Sequence, residues 1–204
     1  MRIVFCGVGA LGSTAVWFCR NLSASSDSAQ PGRRTQAQLV FVDFDRVESK
    51  NVMAQAFVKA SIGKNKAEAL KAQMLTFFGV KAEAFGVRLE ATNVETICAS
   101  ADLLVDAFDN VKSRAMLSEF SRAKDKPLVH AALSGDGTFG IVRWDERFAP
   151  DAEDAEGQAT CEGGEHLPLI GVLGSSLARV IQDFAKDGTR RDVMVSLRSV
   201  TTTC

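Results

Sequence analysis

Short apolar runs and helical stripes alternate along the chain. The first run, RIVFC at residues 2–6, has the length and composition of a buried strand. Residues 65–78 place Ala67, Leu70, Met74 and Phe77 on one helical stripe. The predicted strands are 2–6, 39–45, 81–87, 101–109, 127–133, 138–144 and 192–200, and the predicted helices are 10–22, 65–78, 110–124 and 168–187. This alternation predicts an α/β fold, a doubly wound and mostly parallel sheet with helices on both faces.

Two polar stretches interrupt the pattern. Residues 23–38 are rich in serine and carry Pro31 and Gly32, which predicts a loop. Residues 145–168 are acidic, and we interpret them as a crossover loop that leads into the last helix. The chain is therefore predicted to hold a core at 1–144 and, within the same domain, the crossover loop, the closing helix and a C-terminal strand at 145–204.

Composition argues against several classes of function. A formal net charge of −1 over 204 residues gives no electrostatic case for binding nucleic acid or a membrane. The apolar stretch 167–178 is shorter than the roughly 18 residues that span a membrane, and no signal peptide precedes the first strand. The five cysteines form no C-x-x-C pair, which predicts a reducing, cytoplasmic location and no zinc site.

The glycines after the first strand carry the first chemical signal. Gly7, Gly9 and Gly12 have the spacing G-x-G-x-x-G between a strand and a helix, which is where this motif binds a nucleotide phosphate. Gly7 permits the turn, Gly9 lets the backbone approach a phosphate, and Gly12 lets the helix pack on the sheet. The alternative is a packing turn that binds no ligand.

Acidic residues end the neighbouring strands. Asp43 and Asp45 follow the second strand, and Asp106 and Asp109 follow the fourth. Because ligands of such sheets bind at the carboxyl ends of the strands, these acids and the glycine turn predict one site. Asp43 is placed to bind ribose hydroxyls, and its alternative is a strand-end carboxylate facing water. A nicotinamide-dependent dehydrogenase would share the glycines and Asp43 but has no need of Asp45.

Five segments, in order, carry a resemblance to a known family. They are VDFDRVESKN, IGKNKA, DLLVDAFDNVKSR, the strand pair PLVHAAL and GDGTFG, and TCEGGEHLPLIGVLGSSLARVI. Together they resemble the ThiF/MoeB/ubiquitin-activating superfamily over nearly the whole chain. The resemblance implies a Rossmann-like fold and ATP-dependent adenylation of the C-terminal carboxylate of a small ubiquitin-like or sulfur-carrier protein. The small size and the lack of zinc cysteines resemble bacterial ubiquitin-like conjugation enzymes more than sulfur-carrier enzymes.

The resemblance also implies roles for individual residues. Lys66 would contact the phosphates and Asn51 a phosphate or the ribose, while Asp109 would hold Mg²⁺ and Arg114 would brace Asp109. The ATP site would be completed by Gly7, Gly9, Gly12, Asp43 and Asp45. The alternatives are a solvated helix lysine at Lys66 and a surface ion pair at Arg114, which would stabilise little.

Two departures from the family pattern concern positive charge. Ala54 stands three residues after the asparagine, where the family has an arginine. The chain begins at its first strand, without the family's leading helix, whose arginine reaches the partner subunit's ATP. Lys50, Lys64 and the pair Arg33 and Arg34 are the candidate replacements. The same departures favour a rival interpretation, a catalytically weakened nucleotide-binding partner subunit.

Cys161 lies in the acidic stretch, where the resembled family places a cysteine that forms a thioester or a persulfide. It is the predicted nucleophile for transfer to a conjugating partner, although the neighbouring acids would raise the pKa of its thiol. The alternative is an ordinary loop cysteine. The cysteines predicted to be small buried hydrophobes are Cys6, Cys19 and Cys98.

The last helix carries small residues that predict a homodimer. Gly171, Gly174, Ser175 and Ala178 offer a face on which the backbone of a second copy can approach closely. The two histidines, by contrast, have no metal-ligand spacing.

Overall fold

Seven strands form one mixed sheet in the computed structural model, which describes residues 1–23, 36–149, 164 and 166–197. The strands are β1 (Arg2–Cys6), β2 (Gln38–Val42), β3 (Ala82–Phe85), β4 (Leu103–Asp106), β5 (Leu128–Leu133), β6 (Phe139–Trp144) and β7 (Val193–Ser196). Their order is β3-β2-β1-β4-β5-β6-β7. Strands β1 to β5 pair in parallel, β6 pairs antiparallel with β5, and β7 pairs antiparallel with β6. The doubly wound, Rossmann-like fold predicted from the sequence is confirmed.

Helices cover both faces of this sheet. They are α1 (Ala10–Cys19), α2 (Asn51–Ala54), α3 (Lys66–Phe78), α4 (Val94–Cys98), α5 (Val111–Ala123) and α6 (Leu167–Asp187). Alternate residues of β1 belong to two cores: Ile3 and Phe5 pack with α1, α3 and α6, whereas Val4 and Cys6 pack with α4 and α5. The continuous apolar run at 2–6 thus reflects a strand buried on both sides.

Asparagine and glycine set the helix ends close to the predicted positions. The side chain of Asn65 accepts a hydrogen bond from the Glu68 N–H at the start of α3, and Asn110 caps α5 in the same way. Gly79 and Gly188 end α3 and α6 in the left-handed conformation, at φ +66° and +79°. The bounds of these three helices agree with the predicted ones to within one residue.

The strands that lead to the acids are shorter than predicted, and the acids themselves are the reason. The Asp43 side chain accepts a hydrogen bond from the Asp45 N–H at 2.9 Å, and the Asp106 side chain accepts one from the Phe108 N–H at 3.0 Å. Such turns divert the backbone out of the ladder. As a result β2 ends at Val42 rather than 45, and β4 ends at Asp106 rather than 109.

The small residues of α6 pack inside the chain. A Cβ atom built at Gly174 would lie 2.6 Å from the Thr14 Cγ2 atom of α1, and Ala178 is buried in the same interface. The close approach that we predicted between two copies is therefore used between α6 and α1. Gly171 faces open space, and the homodimer stays a prediction.

By length and composition alone, α6 could cross a membrane. The helix is longer than the apolar stretch recognised in the sequence, because it continues to Asp187. Its leucines Leu169, Leu173 and Leu177 are buried in the core formed with α1 and the sheet. These contacts are those of a core helix.

We predict that Gly174→Ala lowers the free energy of unfolding by about 1–3 kcal/mol, because the new methyl group collides with a β-branched side chain. The matched control is Gly171→Ala on the same helix, where the methyl group meets nothing within 4 Å. This control should gain about 0.5–1 kcal/mol from helix propensity. Urea denaturation of both variants measures the difference, and equal stabilities would contradict the packing described here.

Candidate functional site

A cavity of about 480 Å³ opens at the carboxyl ends of the central strands. The glycine turn after β1, the acids after β2 and the loop after β4 all contribute to its wall. The charged and amide side chains in its lining are Asp43, Asp45, Gln55, Lys66, Arg88, Asp109, Asn110 and Arg114. The residues that were expected to form one site therefore lie around one space, with the exceptions described below.

In the glycine turn, Gly7 and Gly12 pack too closely against the backbone to carry a side chain, whereas Gly9 faces open space. A Cβ atom at Gly7 would lie 2.8 Å from the Ala107 carbonyl oxygen, and one at Gly12 would lie 2.1 Å from the Gly7 carbonyl oxygen. A Cβ atom at Gly9 would meet nothing within 4 Å. Gly7 and Gly9 line the cavity, whereas Gly12 lies behind it as a packing residue. Gly9 stands at the N-cap of α1 and has no side chain that could bond the first N–H groups of the helix. Those groups therefore suit an anion.

Asp43 is largely buried at the base of this cavity, with 8% of its surface exposed. One carboxylate oxygen accepts a hydrogen bond from the Val8 N–H, and the other accepts one from the Asp45 N–H, both at 2.9 Å. Burial raises the pKa of the Asp43 carboxyl, although these two N–H groups and Lys66 act in the opposite direction. The predicted alternative, a strand-end carboxylate facing water, does not describe it.

Asn65 joins the acids to the helix that carries Lys66. Its amide donates to the backbone oxygens of Asp43 and Asp45, at 2.8 and 3.2 Å. The next residue, Lys66, is largely buried and places its Nζ atom 3.1 Å from an Asp45 carboxylate oxygen. Lys66 is therefore a paired residue of the cavity wall, not a solvated helix lysine. Asn65 was not among the residues predicted for the site, although an asparagine before a helix is a recognisable cap signal.

Asn51 lies outside the cavity lining, and its expected contact with a phosphate or the ribose stays a prediction. It is 2% exposed, and its side-chain oxygen accepts a hydrogen bond from the Glu48 N–H at 2.8 Å, which holds the turn before α2. Gln55, just beyond α2, lines the cavity instead. Its Oε1 atom is buried and has no hydrogen-bond partner in the described ranges, so it suits a hydroxyl donor on a ligand.

Arg114 braces Asp106 rather than Asp109, which corrects the expected pairing. Its Nη1 atom donates to Asp106 at 3.0 Å, and its Nη2 atom donates to the carbonyl oxygens of Ala131, at 2.9 Å, and Phe108. Arg114 is buried one turn into α5, beneath the loop that carries Asp109. Asp109 is thereby left exposed at the cavity, where it contacts the Asn110 amide at 3.3 Å.

A buried histidine extends this pairing away from the cavity. The Nδ1 atom of His130 lies 2.7 Å from Asp106, and its Nε2 atom lies 3.0 Å from Asp145. Both ring nitrogens of this buried histidine therefore have a carboxylate partner. Nothing in the local sequence around His130 signals this arrangement, because its partners lie 24 and 15 residues away.

The outer end of this network fixes one wall of the cavity. Burial alone would raise the pKa of Asp145, but hydrogen bonds from Ser118, Arg122 and His130 hold it below its ordinary value. The Phe148 ring stacks on His130 with centroids 4.0 Å apart, and Phe148 itself lines the cavity. The residues that close this wall are therefore held by buried charge as well as by apolar contact.

Arg88 is the cation in the cavity lining that the sequence analysis missed. Its Cζ atom lies 3.8 Å above the Phe44 ring centroid, and both side chains line the cavity. The proposed replacements Lys50 and Lys64 do not line it, and Arg33 and Arg34 fall outside the described residues. Arg88 follows a weakly patterned strand, so no local motif distinguishes it from a surface arginine.

Three of the cysteines are structural, as predicted. Cys6, Cys19 and Cys98 are all buried. A hydrogen bond with Cys98 and burial raise the pKa of the Cys6 thiol, and burial raises the pKa of the Cys19 thiol. Such thiols are poor nucleophiles. Cys161 lies outside the described residues.

Comparison with known proteins places this geometry in a family. A model of the ThiF family matches residues 1–181, which include the glycine turn, Asp43, Lys66 and Asp109. The chain belongs to the ThiF family. This ThiF-family chain is 31% identical over 134 residues to the SAMP-activating enzyme E1 of Haloferax volcanii, covering 65% of this chain and 45% of that protein. It is 26% identical over 187 residues to the molybdopterin-synthase adenylyltransferase of Salmonella typhimurium, covering 85% and 68%.

Solved structures agree on the fold. The structure of Escherichia coli MccB with MccA-N7isoASN superimposes with a TM-score of 0.74 over 98% of this chain and 62% of that one, at 14% identity. The ThiF-family chain also spans under half of several longer relatives, including 42% of the Debaryomyces hansenii adenylyltransferase and sulfurtransferase UBA4.

The chemistry of the cavity lining suits a nucleoside triphosphate, and the part of the chain that the structure describes offers few side chains that could ligate a magnesium ion. The open space at Gly9 suits a phosphate, and the orphaned Gln55 oxygen suits a hydroxyl. No group of three metal-ligating side chains occurs among the described residues. Mg²⁺ is usually held by one or two carboxylates together with phosphates and water, and the exposed Asp109 fits that requirement.

We predict that Asp106→Asn lowers the free energy of unfolding by about 3 kcal/mol, because it leaves the buried guanidinium of Arg114 without its counter-charge. Asp102→Asn is the control, since Asp102 is an exposed carboxylate that accepts from the Arg2 N–H. The control should cost less than about 1.5 kcal/mol. Chemical denaturation at neutral pH compares them, and a small loss for both would mean that the buried network contributes little.

Proposed function

We propose that this chain uses ATP to adenylate the C-terminal carboxylate of a small ubiquitin-like or sulfur-carrier protein. The observation that carries the proposal is the convergence of the Gly7–Gly9 turn, Asp43, Lys66 and Asp109 on one cavity. The relatives named above, a SAMP-activating enzyme E1 and a molybdopterin-synthase adenylyltransferase, support the same class of activity. A cytoplasmic location is part of the proposal.

Each part of the cavity has a task in this reaction. The N-terminus of α1 and Lys66 bind the phosphates, and Asp43 and Gln55 bind the ribose. Asp109 would hold the magnesium ion, which neutralises charge on the phosphate oxygens when bound. The wall formed by Leu133, Phe139, Ile141 and Phe148 accepts the extended C-terminal tail of the carrier.

The chemical step needs positioning more than proton transfer. A carboxylate oxygen of the carrier attacks the α-phosphorus of ATP, the bond from that phosphorus to the leaving oxygen breaks, and pyrophosphate departs. Lys66 is well suited to this step because its pairing with Asp45 fixes the position of its ammonium group. A nicotinamide cofactor would leave Lys66 and Asp109 without a task, so dehydrogenase activity is disfavoured.

Two finer assignments belong to the same proposal. A ubiquitin-like carrier is favoured over a sulfur carrier by the sequence resemblance. The Cys161 thiolate would then attack the carbonyl carbon of the carrier's acyl-adenylate, the bond to the phosphate oxygen would break, AMP would leave, and the carrier would be held as a thioester for transfer to a conjugating partner. The rival, a weakened partner subunit, is favoured by Ala54, which is buried and brings no charge to the cavity. A homodimer is the expected assembly.

We expect Lys66→Ala to reduce carrier-dependent ATP–pyrophosphate exchange by about 10²-fold or more, because one preorganised charge on the phosphates is lost. Lys64→Ala is the matched control: it removes a lysine two residues away that does not line the cavity, and its exchange should stay at the wild-type rate. The assay uses a panel of small ubiquitin-like and sulfur-carrier proteins that end in glycine. Wild-type ATP binding without exchange for any carrier would favour the weakened-subunit rival, and NAD binding in place of ATP would overturn the proposal.

Cys161→Ser should leave pyrophosphate exchange intact and abolish a covalent adduct with the carrier that thiols can cleave. Adenylation takes place at the glycine turn and Asp109, so it does not need the sulfur atom. Gels run without reductant, after incubation with ATP, Mg²⁺ and carrier, detect the adduct. An adduct that persists in the variant would remove Cys161 as the nucleophile and leave adenylation untouched.

A further inference from the structure

The phosphate and ribose positions define where the base of a bound nucleotide must lie. Phosphates belong at the α1 N-terminus after β1, and the ribose belongs at Asp43 after β2. The base therefore extends towards β3, which is the next strand in the sheet and lies at its edge. The cavity wall in that direction consists of Phe44 and the segment Val87, Arg88 and Leu89, which follows β3.

This end of the cavity has the character of a binding surface for a flat, uncharged ring. Phe44 is 45% exposed and Val87 is 42% exposed, whereas Leu89 is buried. The guanidinium carbon of Arg88 lies over the Phe44 ring, 3.8 Å from its centroid, which is an attractive arrangement for a planar cation.

The charge pairing in the cavity singles out Arg88. Lys66 is paired with Asp45, and Arg114 is paired with Asp106. Within the parts of the chain that the structure describes, the guanidinium of Arg88 has neither an ion-pair nor a hydrogen-bond partner, and its contact is the Phe44 ring. An arginine held by an aromatic ring and by no carboxylate keeps its planar group available to a ligand.

We infer that Arg88 is a nucleotide-binding residue on which the adenine base of ATP stacks, with Phe44 supporting the opposite face of the guanidinium. The inference rests on the proposed function, since it requires the cavity to accept ATP. Stacking on an arginine plane binds a base without reading its edges, so Arg88 contributes to affinity for the nucleotide and leaves the phosphates to Lys66 and the glycine turn.

Arg88→Lys separates stacking from charge, because lysine keeps the positive charge and loses the plane. Calorimetric titration of the full chain with ATP, AMP and inorganic triphosphate should show Kd values for ATP and AMP raised about tenfold by the substitution. The Kd for inorganic triphosphate should not change. Phe44→Leu should give the same pattern, because it removes the support of the guanidinium.

The control is Arg179→Lys, which changes an exposed arginine paired with Asp183 on α6 and should leave all three Kd values unchanged. Melting of the Arg88 variant without nucleotide should match the wild type, because Arg88 is exposed. Unchanged ATP and AMP affinities in Arg88→Lys, or an equal loss for inorganic triphosphate, would overturn the inference while the adenylation proposal stands. A wild-type protein that binds neither ATP nor AMP would overturn the proposed function itself.

Discussion

The close approach of two backbone segments at the glycine turn is the constraint on which the site depends. The Gly12 Cα lies so near the Gly7 carbonyl that any side chain would reach it, and Gly7 in turn abuts the Ala107 carbonyl of the β4 loop. This packing brings the α1 N-terminus and the β4 loop to the same edge of the sheet. The Gly9 end and the Asp109 end of the cavity consequently belong to one space, although they come from segments about half the chain apart.

A second feature is that the acids at this edge of the sheet accept hydrogen bonds from backbone N–H groups of the same chain. Asp43 and Asp106 each accept a backbone N–H two residues ahead, which ends their strands and turns the following loops towards the cavity. Asp106 is then paired with Arg114 in the interior and lies within hydrogen-bond distance of His130, whereas Asp45 is paired with Lys66 at the surface of the cavity. Buried carboxylates are retained here because each has a fixed partner.

The parts of this arrangement that could be predicted from the sequence are those that depend on residues close together in the chain. The glycine spacing, the acids after apolar runs and the helix caps depend on neighbours in the chain, and the structure has them close to where they were expected. The Asp106–His130–Asp145 network could not be read, because pairing across strands decides which polar side chains meet. Arg114 was assigned to the wrong carboxylate for the same reason: a motif indicates that a residue is needed, not which side of the loop it faces.

The buried position of Asp43 couples ligand binding to protons. Its carboxyl group holds a proton more readily than an ordinary aspartate, because burial penalises the charged form. A ligand whose hydroxyl group donates a hydrogen bond to this carboxylate favours the ionised form, so its binding lowers the pKa of Asp43. Any such ligand binds more weakly as the pH falls through the raised pKa of Asp43, because protons then compete with it for the carboxylate. A buried carboxylate at this position thus makes the occupancy of the cavity sensitive to acid.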